Sequence, residues 1–291
     1  MRSLIILLAL SSSAASAAAS QSPGAAMLPI LRARAASPTV SLKMWSAAGH
    51  LRLVGWDKDS VVIRGRLARG TELVLAGGPD AMKMDASAGT SGNPAPSDLT
   101  VYLPRRGKAA VKTVNADISA SDVSGWFYAT SGSIHLGGAA TSVEVESMSG
   151  DIDLDVATPW LRARTGDGHL LLRGAPQDAD VATIGGALDV AARGILRGQF
   201  GSVSGDIRYA GAPAAGAIFD FSNHSGAVEL LLPSTESAAV MLSTIAGAIE
   251  NGFSQARPIS STPHAVRLTL GRGEAQITVR SFKGVIRLRP Q

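Results

Sequence analysis

The chain has 291 residues, of which 45% are hydrophobic and only 4% aromatic, with 32 glycines, no cysteine and a formal net charge of +4. That length buries a sizeable core, but the scarcity of aromatics argues against a compact globule filled by Phe, Tyr and Trp. The absence of cysteine excludes a disulfide framework and thiol chemistry, and basic residues scattered without stacking aromatics exclude a nucleic-acid stripe.

The N-terminus opens with Arg2, an apolar run from Leu4 to Leu10 and small residues from Ala14 to Ala19. This pattern predicts a secretory signal peptide over residues 1–19. The apolar run is shorter than the ~20 residues a bilayer span needs, and no later segment reaches that length. Residues 20–39, with Pro23, Pro29 and Pro38, read as a linker or N-terminal cap, and residues 40–291 as one repeat domain. Two further segments read as loops: Gly77–Ser97 with Pro79, Pro94 and Pro96, and Ser254–Pro263.

One pattern recurs through the domain: Ser or Thr, two residues, Gly, any residue, a branched apolar residue, any residue, then Leu or Val. It stands at Ser147–Leu154, Thr165–Leu172, Thr183–Val190, Ser202–Tyr209 and Ser281–Leu288. Weaker copies occur at Ser46–Leu53, Thr113–Ala120, Ala129–Leu136, Asn223–Leu230 and Thr244–Asn251. Gly132, Gly150, Gly168 and Gly186 are 18 residues apart, Gly205 follows after 19, and Gly226 and Gly247 after 21 each. Gly284 comes 37 later, close to two periods. A period this short fits one coil of a β-solenoid, not a pair of helices. The predicted fold is therefore all-β, a single-stranded β-solenoid.

The alternation specifies strands. Residues two and four after each Gly are apolar, as in Ile152 and Leu154, with polar residues between. Five residues before each Gly stands another apolar residue, such as Val145, Val181 or Phe221. These sets have opposite parity, so the chain must turn a corner near the Ser/Thr position, where a hydroxyl can bond the backbone. Glycine at that corner lets neighbouring coils approach closely.

Three stretches resemble a bacterial adhesin-like β-strand-repeat family of unknown function. They are Gly49–Asp57 with its Gly55-Trp56-Asp57, Leu99–Pro104, and the closing repeat Ile277–Leu288. The resemblance implies a β-helix-like fold and envelope placement, and implies no catalytic residues. Ala116 in a Gly position, and Lys283-Gly284-Val285 where Ser-Gly-Asp is usual, depart from the pattern.

No catalytic, cofactor-binding or metal-binding residue is read from the sequence. Asp151, Asp153 and Asp155 alternate on one strand, with Asp189 two coils on; a cation site or a glycosidase pair could use such carboxylates, but the row reads as a solvated polar face that also discourages aggregation. The five histidines show no metal-ligand spacing, and the four tryptophans share no repeat position. The expected function is non-enzymatic: an exported binding or scaffold module, periplasmic or cell-surface, whose solenoid flank meets an envelope protein or glycan. A β-helix polysaccharide lyase or hydrolase and a periplasmic spacer are the alternatives.

Overall fold

The computed structural model describes residues 27–88, 96–254 and 257–291, so the expected signal peptide lies outside the described residues. Among the described residues every regular element is a strand. The first six are β1 (Met27–Ala35), β2 (Ser41–Trp56), β3 (Ser60–Ala68), β4 (Thr71–Gly77), β5 (Ala81–Ala88) and β6 (Ser97–Pro104). There follow β7 (Lys108–Ser121), β8 (Ser124–Ala129), β9 (Ile134–Ala139), β10 (Val143–Ser147), β11 (Ile152–Thr165) and β12 (Leu170–Thr183). Next are β13 (Leu188–Val190), β14 (Arg197–Ser202), β15 (Ile207–Ala210), β16 (Ile218–Asn223) and β17 (Val228–Leu232). The last six are β18 (Ala238–Thr244), β19 (Ile249–Asn251), β20 (Arg257–Thr262), β21 (Ala265–Thr269), β22 (Ala275–Ser281) and β23 (Ile286–Pro290).

Each coil gives one strand to each of two sheets, and successive coils pair in parallel with the repeat in register. In the first sheet Val143 of β10 stands opposite Gly125 of β8 and Leu161 of β11. In the second, Ile152 stands between Ile134 and Leu170. The fold is the expected all-β solenoid, and in β11 and β12 a single strand runs through both ladders. The branched residues that favour strands line its interior: Val145, Leu154, Leu172, Val181 and Leu230 are fully buried.

The parity switch sits where the sequence places it. Val145 and Ser147 are buried, Met148 and Ser149 are exposed, and burial resumes in the opposite phase at Gly150, Ile152 and Leu154. The buried hydroxyl or amide closes this corner. Ser147 Oγ accepts the Gly150 N–H at 2.9 Å, and Asn223, Thr244 and Ser281 do the same for Gly226, Gly247 and Gly284. Thr183 Oγ1 donates to the Gly186 carbonyl at 2.7 Å, and Asn223 Nδ2 to Gly205 of the preceding coil at 2.9 Å. Each polar group that leaves the strand ladder thus finds a partner.

The glycines form one column. A Cβ on Gly150 would fall inside the carbonyl oxygen of Gly132, one on Gly168 inside that of Gly150, and one on Gly186 inside that of Gly168. Ala116 is tolerated in this column because its neighbour in register is Gly49. Where the period lengthens beyond 18 residues, the interior takes large rings: Phe200, Tyr209, Phe219 and Phe221 are buried together, with Phe200 and Phe221 stacked at 5.0 Å.

The structure departs from the sequence reading in two places. Chain order is not coil order: β16 pairs with β22, and β22 with β18, so the coil of residues 275–290 lies between those of β16–β17 and β18–β19. Gly284 accordingly packs on Gly226, and Gly247 on Gly284. The 37-residue step is thus an inserted rung with a hairpin, not two sequential coils. Second, the two expected loops carry strands, β5 within one and β20 within the other, which proline spacing alone did not show. Residues 27–35, within the expected linker or cap, form β1. Antiparallel strands finish the stack at both ends: β1 on β3 and β4 on β5 at one, β20 on β21 at the other. β1 carries Pro29 and turns Arg32 and Arg34 to the side of buried Val61 and Ile63, both devices that discourage further strand pairing.

Replacing Gly168 with Val should cost about 1–3 kcal/mol or prevent folding, since a carbonyl occupies the space the side chain needs. Ile152→Ala should cost about 2–5 kcal/mol, whereas Met148→Ala, 58% exposed one corner away, should stay within about 0.5 kcal/mol. Urea unfolding of the three variants measures this.

Candidate functional site

The four aspartates do not assemble into one centre. Asp151 Oδ1 accepts the His169 N–H of the next coil at 2.8 Å, as Asp117 does for Ser133 and Asp206 for Ala227. This carboxylate column is a structural tie between coils. Asp153 holds Arg173 through both oxygens at 2.7 and 2.8 Å and lies 3.9 Å from His135. Asp189 pairs with His169 at 2.7 Å, and Asp155 is exposed. Among the described residues no three His, Asp or Glu side chains converge as a metal site. The tryptophans are dispersed: Trp56 packs on Tyr102 at 5.1 Å and Trp126 on Tyr128 at 5.7 Å.

The surface feature that does repeat is apolar. The first residue past each buried corner hydroxyl projects outward: Met148 is 58% exposed, Ile184 59%, Val203 51%, Phe282 45% and Ile245 67%. They follow one corner of the solenoid, along which successive coils lie about 4.8 Å apart. His224 fills the same position and stacks on Phe282 at 4.8 Å. The next residue in the corner is often Ser, whose hydroxyl returns to a carbonyl one coil back, as Ser149 does to Thr130 and Ser225 to Val203. Backbone needs are met locally, which leaves the apolar side chains free.

The row has one gap. Gly166 stands between Met148 and Ile184, and beside it lies a depression of about 450 Å3 bordered by Tyr128, Met148, Arg164 and Ile184. Arg164 and Ala182 also border a second depression, which runs past Gly201 to Arg280. Arg280 and Ser222 border a third, which ends at His224, Ile245 and Phe282. The three share borders at Arg164, Ala182, Ser222 and Arg280; the first and third reach the apolar ridge, and the second is bordered by Arg164, Asp180, Asp220 and Arg280. Reading the sequence missed this ridge because the repeat pattern treats its position as arbitrary. The signal was the apolar residue directly after Ser/Thr in Ser147-Met148, Thr183-Ile184, Ser202-Val203 and Ser281-Phe282.

Residues 46–289 match the family model described as Toastrack DUF4097. The chain belongs to the Toastrack DUF4097 family. No curated protein sequence matches it. Among solved structures, a protein of Parabacteroides distasonis named for lipid binding superposes with a TM-score of 0.53 at 12% identity, over 89% of this chain and 96% of that one. A protein of Bacteroides fragilis named as an adhesin gives 0.45 at 14% identity, over 91% and 97%. One from Clostridium sporogenes named for cell adhesion gives 0.22 at 11%, over 91% and 100%. The first of these likenesses shows the shared fold alone.

The Toastrack motifs of the N-terminal half form a clasp. Gly55 leaves room for the Asp122 carbonyl, Trp56 donates to the Ser60 carbonyl at 2.9 Å, and Asp57 receives Arg105 at 3.1 Å. Arg105 follows Pro104, the end of the second motif stretch, and also reaches Asp122 at 2.5 Å. Asp122 adopts a left-handed φ of 57°. Its carboxyl sits below the usual carboxylate range, first because it accepts the Ala139 N–H at 2.9 Å and then because Arg105 adjoins it.

A carboxyl depressed in the folded state contributes stability above its unfolded pKa of about 3.9 and loses it as pH falls through the folded value. Asn tolerates the left-handed turn. Asp122→Asn should therefore be less stable than the parent at neutral pH, with the two denaturation midpoints converging in acid. By contrast, Asp153→Asn breaks an exposed pair and should change stability by less than about 1 kcal/mol.

Proposed function

We propose that this protein is a non-enzymatic, exported binding module of the bacterial envelope that receives a partner protein along the corner ridge and its groove. The observation that carries the reading is the ridge itself: Met148, Ile184, Val203, Phe282 and Ile245 in one line, beside a groove opened by Gly166. Soluble chains seldom leave so ordered an apolar row without a use for it. An apolar ridge beside a groove bordered by Arg164, Asp180, Asp220 and Arg280 suits a protein surface that pairs an apolar core with a polar rim. The engagement of Asp151, Asp153 and Asp189 in ties and ion pairs supports a non-catalytic role, and the family resemblance supports envelope placement.

A photocrosslinking residue at Met148 or Ile184, tested in cells, should give one and the same protein adduct. The same residue at Asp155 or Arg173, on the opposite sheet, should not. Met148→Asp with Ile184→Asp should lower adduct formation with a crosslinker at Val203 by about tenfold while folding is retained. Equal adducts at all positions, a glycan adduct alone, or turnover of an envelope polysaccharide by the purified chain would each overturn the reading.

A further inference from the structure

The two ends of the solenoid are electrostatically unlike. Through the middle and toward β23, most arginines are ion-paired to a neighbouring coil: Arg162 to Glu144, Arg164 to Asp180, Arg173 to Asp153, Arg197 to Asp178, Arg280 to Asp220 and Arg287 to Glu250. At the β1 end the pattern stops. Among the described residues Arg32, Arg34, Arg52, Arg64, Arg66 and Arg69 are exposed, and none has a carboxylate within ion-pair distance. Residues 27–70 hold eight basic and two acidic side chains, and one of those acids, Asp57, is taken by Arg105.

Register arranges these cations. Arg64 of β3, Thr100 of β6 and Arg52 of β2 stand directly opposite one another on the outer face of the second sheet, with Leu31 of β1 next in line beyond Arg64. The two arginines flank the Thr100 hydroxyl at two strand spacings, about 9.6 Å between backbones. Arg64 is held there by the Tyr102 ring, 4.8 Å from its guanidinium, and by the Tyr102 hydroxyl. Arg66 lies beside Arg64 on the same face; Asp98, in register with Arg66, is the acidic group among them. Leu31 is 66% exposed and Leu28, on the other side of β1, is 49% exposed. Pro29 and the charged Arg32 and Arg34 on this edge strand disfavour an added strand, which argues against a second copy or an extended peptide at this edge.

We propose that the β1 end is a docking surface for an anionic lipid bilayer, with Arg52, Arg64 and Arg66 on lipid phosphates and Leu28 and Leu31 entering the interface. Unpaired arginines next to exposed leucines match a surface that is negative outside and apolar just beneath. A soluble polyanion would use the arginines and leave the leucines idle. The site is separate from the corner ridge and does not depend on it.

The test is co-sedimentation of the mature chain with vesicles of phosphatidylcholine alone, or with about one-third phosphatidylglycerol. Binding should require the anionic lipid and weaken as salt rises from about 0.05 to 0.5 M. Arg52→Gln, Arg64→Gln and Arg66→Gln together should reduce it by about tenfold or more, and Leu31→Ser by several-fold. Removing the same charge at paired positions, with Arg173→Gln, Arg197→Gln and Arg280→Gln, should leave it within about twofold. Met148→Asp with Ile184→Asp should bind vesicles like the parent, which separates this proposal from the ridge. Indifference to lipid charge, equal loss in both triple variants, or retention on polygalacturonate without vesicle binding would overturn it.

Discussion

Everything in this molecule rests on one close approach: the carbonyl of a corner residue occupies the place where the next coil would carry a Cβ. The contact recurs from Ala116 through Gly132, Gly150, Gly168, Gly186, Gly205 and Gly226 to Gly284 and Gly247. It sets how near two coils can lie at the corner and so allows both sheets to keep unbroken ladders. The buried Ser, Thr or Asn three residues earlier is its companion, because a chain that bends there leaves the ladder and must satisfy its N–H groups at once.

That constraint explains why the surface is divided as it is. At the corner, hydroxyls and glycines consume every polar need, so the residue at the apex is under no structural demand and can be Met, Ile, Val or Phe. On the flat faces the strands have exposed alternate positions, and these fill with charges that neutralise one another from coil to coil, such as Glu144 with Arg162 and Arg208 with Glu229. The ends have no further coil to pair with, and there the exposed arginines of β1 and β3 remain uncompensated. Ridge, charged face and basic end are three consequences of one stacking rule.

The same rule decides what was legible in the sequence. The Gly period, the apolar alternation and the parity conflict are all local, and they led to a solenoid with its corner beside Ser147, where it lies. The inserted position of residues 275–290 was not legible, because a repeat at Ser281–Leu288 looks the same wherever it stacks. Pairing is chosen by packing among Phe219, Phe221, Ile277 and Val279, not by order in the chain. The aspartates were visible as a row, but the partner of Asp151 is a backbone N–H one coil away, and no residue code records that. The ridge was written in the repeat and lost by averaging: a pattern that keeps only invariant positions discards a variable position that is apolar in most coils.

The inserted coil also separates stacking order from chain order. The strands β18 and β19 leave the growing stack with no surface of their own to land on, since the rung that belongs beneath them is β22 and β23, made later. From β7 to β17 each new coil can settle on its predecessor as soon as it exists, in the manner of nearest-neighbour repeat arrays. Beyond β17 the next rung is β23 instead of β19. Residues 275–290 thus join two segments that precede them in the chain, a closure with a long sequence separation. A chain cut before residue 275 would therefore lack an interior rung, not a terminal one, and the apolar end left open beside Phe221 and Leu230 would be the place where quality control or aggregation meets it.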